Sequence, residues 1–116
     1  MSGASLSDIP DVDIDESGVF KYIQIKISKN GAEKVIVRGY SRASYHADIA
    51  EEVSPGLEAL GFKCSVLGGG RIEKVLKSIN VYGYSVAYGQ PNHQIAVEKI
   101  KTAFPTFEVT WSNEGY

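Results

Sequence analysis

The sequence predicts an α+β fold: one domain with a mixed β-sheet of five to six strands and two helices packed on it. Three observations carry this reading. Apolar residues alternate from Val19 to Ile27, as in a strand with one buried face. Two later segments, ending near Gly61 and Pro105, keep helical stripes. Between and after them lie shorter runs of strand-forming residues, in the order ββαβββαβ.

Residues 1–8 are mostly small or polar and are expected to be loose, with the domain running over 9–116. Asp11, Asp13, Asp15 and Glu16 lead into the first strand. Their alternation lacks the rest of a calcium loop, so a solvated acidic lead-in is expected. On the Val19–Ile27 strand the odd positions Val19, Ile23, Ile25 and Ile27 form an apolar face that also carries Lys21. The other face holds Phe20, Tyr22, Gln24 and Lys26. Asn30-Gly31 is a hairpin signal, and Lys34 to Tyr40 returns as the second strand.

The first helix is expected to be capped by Ser41 or Ser44, with Ile49, Val53, Leu57 and Leu60 on its stripe and Gly61 as its stop. Pro55 predicts a kink or a break within it. Phe62 to Leu67 reads as the third strand and Gly68-Gly69-Gly70 as its exit. Arg71–Val75 and Ile79–Ser85 read as a further hairpin. The second helix spans about Asn92 to Phe104, with Ala96, Val97, Ile100 and Ala103 inward, and Phe107, Val109 and Trp111 mark the last strand.

Composition narrows the function classes. Across 116 residues, 12 basic and 14 acidic side chains leave a net charge of −2, which argues against a nucleic-acid or anionic-membrane binder. Cys64 is the lone cysteine, so an internal disulfide and a multi-thiolate metal site are excluded. The first ten residues have neither the basic flank nor the apolar run of a signal peptide, and no stretch approaches the ~20 apolar residues of a membrane span. A cytoplasmic protein is expected.

Four features stand out chemically. Lys21 on an apolar strand face either snorkels to water or aims a point charge at an anion. His46 falls at the predicted helix start, where free N–H groups and the macrodipole favour a neutral imidazole; it is either a base or nucleophile, or a surface or capping residue. His93 is placed similarly, but two histidines without clustered partners make a weak metal case. Gly68-Gly69-Gly70-Arg71 allows close approach of an anion or simply a tight turn, and it lacks the ending of a Walker loop. Tyr82-Gly83-Tyr84-Ser85-Val86-Ala87-Tyr88-Gly89 puts small residues between aromatics, suited to a ligand or to sheet packing. Ser85 has no nucleophile elbow around it, and Arg71 lies one position too late for a Cys-x5-Arg loop starting at Cys64.

These segments together resemble the phosphohistidine phosphatase family, also called the Janus/Ocnus family. The matching pieces are Ile9-Pro-Asp-Val-Asp-Ile-Asp, Gly18-Val-Phe-Lys-Tyr, Val37-Arg-Gly-Tyr, Tyr45-His-Ala-Asp-Ile, Leu67-Gly-Gly-Gly-Arg-Ile, Val81-Tyr-Gly-Tyr-Ser-Val-Ala-Tyr-Gly and Glu108-Val-Thr-Trp-Ser-Asn-Glu-Gly-Tyr. They run in order from Ile9 to Tyr116. The resemblance implies hydrolysis of the phosphorus–nitrogen bond of phosphohistidine in partner proteins, with phospholysine left open; that bond breaks readily once its nitrogen is protonated, so no metal or other cofactor is expected, and a monomer is the default. It implies that His46 is catalytic, that Lys21 binds the phosphoryl group, and that Ser85, Val86 and Ala87 line the same pocket. Arg38, Arg71 and Tyr45 are implied as supporting residues. Val86 replaces a frequent family methionine, a change that a main-chain contact would survive; Pro55 and the short Glu73–Ser78 hairpin are the other departures. The competing readings are a non-catalytic phosphoprotein-binding module using the same anion pocket, and a metal-dependent hydrolase.

Overall fold

The protein, as a computed structural model, is described for residues 4–113. Its strands are β1 (Val12–Ile14), β2 (Gly18–Lys29), β3 (Ala32–Gly39), β4 (Lys63–Val75), β5 (Ser78–Tyr82) and β6 (Glu108–Trp111). Helix α1 (His46–Ala59) precedes β4, and α2 (His93–Ala103) precedes β6. The six strands form one mixed sheet in the order β1-β3-β2-β4-β5-β6. The outer pairs β1/β3 and β5/β6 are parallel, and the central pairs are antiparallel. The α+β class, the sheet and the two helices match the sequence reading.

The helices lie on opposite faces of this sheet, which is why both faces of β2 are buried at its centre. Ile23, Ile25 and Ile27 face α1 and pack with Ile36, Ile49 and Leu57. Phe20 and Tyr22 face α2 and pack with Ile72, Val81, Ala96 and Ile100. Asn30 and Gly31, both at positive φ (55° and 84°), close the β2–β3 hairpin in the left-handed conformation that such a turn needs. A Schellman motif ends α1: Gly61 donates to the Glu58 carbonyl at 3.0 Å and Phe62 to that of Leu57 at 3.1 Å.

Four local expectations are corrected. The acidic lead-in is not simply solvated, because it contributes β1. Asp11 pairs with Lys34 at 2.8 Å and Lys99 at 3.4 Å, Asp13 accepts from the Tyr40 hydroxyl at 2.7 Å, and Asp15 accepts from the Ser41 N–H at 2.7 Å. The two segments Phe62–Leu67 and Arg71–Val75 are one strand, β4, and the glycines between them lie inside it. The order is therefore βββαββαβ. Pro55 does not interrupt α1; it sits on the exposed side, where water can serve the carbonyl one turn back that the missing N–H leaves free. Neither Ser41 nor Ser44 caps that helix. The N-cap is Tyr45, whose N–H donates to the Asp48 carboxylate at 2.9 Å.

Within the stretch expected to be loose, Leu6–Asp8 forms a single 3-10 turn, and Ala4 and Leu6 pack against the α1-side core. No helix among the described residues is long and apolar enough to cross a membrane.

Candidate active site

Cross-strand register sets the floor of the site. Lys21 of β2 pairs directly with Arg71 of β4, and both stand on the α1 side of the sheet. The first turn of α1, with Ser44 to Ala47, rises on one side; Tyr84, Val86 and Ala87 rise on another. The open pocket between them has a volume of about 510 Å³. Its walls carry mostly apolar surface, so the two cations at its base face a partly dehydrated space, where charge–charge attraction is strengthened.

His46 is the first residue of α1 and is buried. Its Nε2 lies 2.9 Å from the carbonyl oxygen of Gly70. A carbonyl only accepts, so Nε2 carries the proton and Nδ1 keeps the lone pair. Burial holds its pKa below the ordinary value of 6.5, and the charges of Lys21 and Arg71 act in the same direction, against the opposing Gly70 bond. The imidazole is therefore neutral at neutral pH.

The glycine tract makes room for this ring. A Cβ on Gly69 would lie 2.7 Å from His46 Cδ2 and 2.7 Å from the Tyr22 carbonyl oxygen. Gly70 faces the other side of the sheet, where a Cβ would lie 2.9 Å from His93 Cε1. Two imidazoles thus lean on consecutive glycines from opposite faces. His93 donates through Nε2 to the Gly83 carbonyl at 2.7 Å and accepts at Nδ1 from the Tyr22 hydroxyl at 2.5 Å. Gln24 continues the network to the Asn92 carbonyl at 2.9 Å. Burial lowers the His93 pKa as well.

That second histidine anchors the loop that forms the cavity wall. Gly83 and Gly89, at φ 80° and 85°, bracket the turn, and Ser85 and Gly89 exchange main-chain bonds at 3.2 and 2.8 Å. The Gly69 N–H ties the turn to β4 through the Gly89 carbonyl at 3.1 Å. The Ser85 hydroxyl is turned inward and accepts from the Tyr88 N–H at 3.1 Å, so Ser85 shapes the turn while Val86 and Ala87 form its tip. Among the described residues, neither the Val86 nor the Ala87 N–H is taken up by a protein acceptor. In the first turn of α1 the Asp48 N–H donates to the Tyr45 carbonyl at 3.0 Å.

Five of the residues singled out from sequence share the cavity: Lys21, His46, Val86, Ala87 and Arg71, with Tyr45 at its rim, 70% exposed. Ser85 supports the wall from behind. Arg38 is not in the cavity: buried on β3, it donates to the carbonyls of Val37 at 2.9 Å and Pro10 at 2.8 Å, fastening the N-terminal segment. Among the described residues no group of three or more His, Cys, Asp or Glu side chains converges as metal ligands do.

The family profile described as Janus/Ocnus family (Ocnus) matches residues 6–108. The chain belongs to the Janus/Ocnus family. The 14 kDa phosphohistidine phosphatase of Homo sapiens is 51% identical over the full length of both chains, and that of Sus scrofa 48% identical over 99% of this chain and 98% of its own. The sex-regulated protein janus-A of Drosophila pseudoobscura pseudoobscura is 40% identical, covering all of this chain and 83% of its own length. In this Janus/Ocnus member the support given by Tyr22, Gln24 and Gly89 was missed from sequence, and His93 was read as a helix-start histidine and a weak metal ligand, not as the anchor of the 83–89 turn. The available signal was the pair Gly69-Gly70, whose missing side chains on alternate faces mark two places where something bulky must approach.

Proposed function

We propose that this protein is a protein-histidine phosphatase that hydrolyses the phosphorus–nitrogen bond of phosphohistidine in partner proteins. The observation that carries this reading is the Nδ1 lone pair of His46 in one cavity with Lys21 and Arg71. The curated names of the two mammalian relatives support it independently.

In this mechanism Lys21, Arg71 and the free N–H groups of Val86 and Ala87 hold the phosphoryl oxygens, stabilising charge that builds in the transition state. Ser85 holds the turn in the required shape, and Tyr45 flanks the entrance. Nδ1 of His46 takes a proton from water as the water oxygen bonds to phosphorus and the P–N bond opens in line. The departing nitrogen receives a proton, and the products are phosphate and the free histidine side chain. The imidazolium formed at His46 lies in a site that disfavours its charge, so it readily returns its proton to solvent, while the leaving nitrogen takes its proton from water on the opposite side of phosphorus. No carboxylic acid is needed among the lining residues, and no metal enters the scheme. Arg38 acts at a distance, by holding the segment before β1.

The proposed working unit is a cytoplasmic monomer that includes the Ala4 and Leu6 contacts to the core, and the free Cys64 is in keeping with a reducing compartment. Phosphate release from a histidine-phosphorylated protein in excess chelator tests the reaction. Repeated turnover is expected, and His46→Ala is expected to abolish it while keeping the wild-type circular dichroism spectrum. Stoichiometric protection of the phosphohistidine without turnover would favour a binding module, and loss of activity in chelator would favour a metal hydrolase.

A further inference from the structure

The floor of the cavity continues beyond Lys21 and Arg71. In cross-strand register, Lys21, Arg71 and Tyr82 form one row on the α1 side of the sheet. Val19, Glu73, Asn80 and Thr110 form the next row outward, and Val75, Ser78 and Glu108 the last. The reverse side of these same strands is fully used, with Ile72, Ile79, Val81 and Val109 buried beneath α2. On the α1 side the helix packs only over the other end of β2, on Ile23, Ile25 and Ile27. Among the described residues, half of the sheet is therefore packed on one face and open on the other. Val19 is 49% exposed and Val75 46%. Glu73 and Glu108 are exposed beside them.

Strand geometry gives the dimensions. Two residues advance about 6.6 Å along a strand, and strands lie about 4.8 Å apart, so the outer rows form a platform of roughly 200 Å² adjoining the pocket. Such an area is small beside the ~800 Å² that each partner buries in a stable complex, and it suits a brief encounter.

We propose that this open sheet face receives the body of a folded phosphohistidine-bearing protein while its phosphorylated imidazole enters the pocket. The proposal rests on the phosphatase reading above and specifies its partner. A phosphohistidine on a protein surface cannot enter the cavity without bringing neighbouring surface with it. The α1 turn and the 84–87 turn wall the pocket, whereas the sheet floor runs out level from Lys21 and Arg71. The charge sequence along that floor defines a complement. The phosphoryl anion sits at the two cations, an apolar contact lies over Val19 and Val75, and a basic side chain meets Glu73 one row away.

The test compares two substrates: a folded protein phosphorylated on a surface histidine, and phosphoramidate, which fills the pocket alone. In the triple variant Val19→Ser/Glu73→Lys/Val75→Ser, kcat/KM for the protein should fall about tenfold, mainly through KM, with phosphoramidate turnover unchanged. The single Glu73→Lys change, at an exposed side chain, should show a smaller loss with the same selectivity and guards against misfolding of the triple variant. Unchanged kcat/KM on the protein substrate in both variants overturns the proposal, as does an equal loss on both substrates in Glu73→Lys. If sedimentation finds a wild-type dimer that these changes dissociate, with protein turnover unaltered, the face belongs to a second copy and the proposal falls. Failure of the wild type on both substrates would instead remove the phosphatase reading.

Discussion

Gly69→Ala places one methyl group where the site has no space for it. The new Cβ would lie 2.7 Å from His46 Cδ2 and 2.7 Å from the Tyr22 carbonyl oxygen, whereas ordinary contact begins at 3.4 Å. The Tyr22 oxygen belongs to the central strand of the sheet and cannot retreat alone. The imidazole must then yield by about 0.7 Å, away from the Gly70 carbonyl that it holds at 2.9 Å. A misplacement of that order at a reacting group costs on the order of 100-fold in rate. Overpacking at a buried position also destabilises by ~1–3 kcal/mol. The expected result is a folded protein with a modestly lowered midpoint in urea, and kcat for phosphohistidine hydrolysis down by about 100-fold. Phosphate release under saturating substrate measures it. Wild-type kcat in Gly69→Ala would refute the claim that the glycine fixes the ring, and with it the placement of His46 as the reacting group.

Two further outcomes follow from the paired histidines. Both have folded-state pKa values below the ordinary 6.5, so the unfolded chain binds protons more readily than the native one. Stability is therefore whole above pH 6.5, falls as pH drops through that value, and levels off below the folded-state values; Asp11 and Asp15, held below their ordinary 3.8, stay ionised at pH 5.5 and do not contribute to a comparison made there. Urea midpoints at pH 7.5 and 5.5 should differ accordingly, and equal midpoints would contradict the buried neutral rings. The rate should hold at pH values somewhat under 6.5, because His46 stays unprotonated there. His93→Ala leaves the Gly83 carbonyl only the 3.4 Å bond from Gln90 and takes the acceptor from the buried Tyr22 hydroxyl, a cost of ~1–3 kcal/mol. Amide exchange over residues 83–89 should quicken and KM should rise more than kcat falls; an unchanged KM would detach His93 from the phosphoryl wall.

Local pattern carried much of this architecture. The alternation along β2, the Asn30-Gly31 turn and the helical stripes closed by Gly61 and Pro105 are short-range signals with direct steric causes. The same holds for Lys21 on the Ile23 face and for His46 at a helix entrance. What escaped depends on partners distant in the chain. β1 exists because Lys34, Lys99, Tyr40 and Ser41 satisfy carboxylates that read locally as solvated. Gly68–Gly70 looked like a turn because glycine weakens a strand, and only the two imidazoles packed against it explain why β4 runs through. Arg38 was placed near the phosphoryl group by likeness, although its donors are occupied by Val37 and Pro10. The Ser85 hydroxyl was expected at the ligand and instead serves its own turn.

One peptide unit, Gly69–Gly70, is the partition between the His46 ring and the second core. Selection on either compartment is thereby felt in the other. Enlarging a residue behind the partition, or shrinking the Tyr22–His93 pair, shifts the same thin wall on which His46 rests. Drift at these five positions must be concerted, so homologues that lose one of the two rings are expected to have lost the reaction as well.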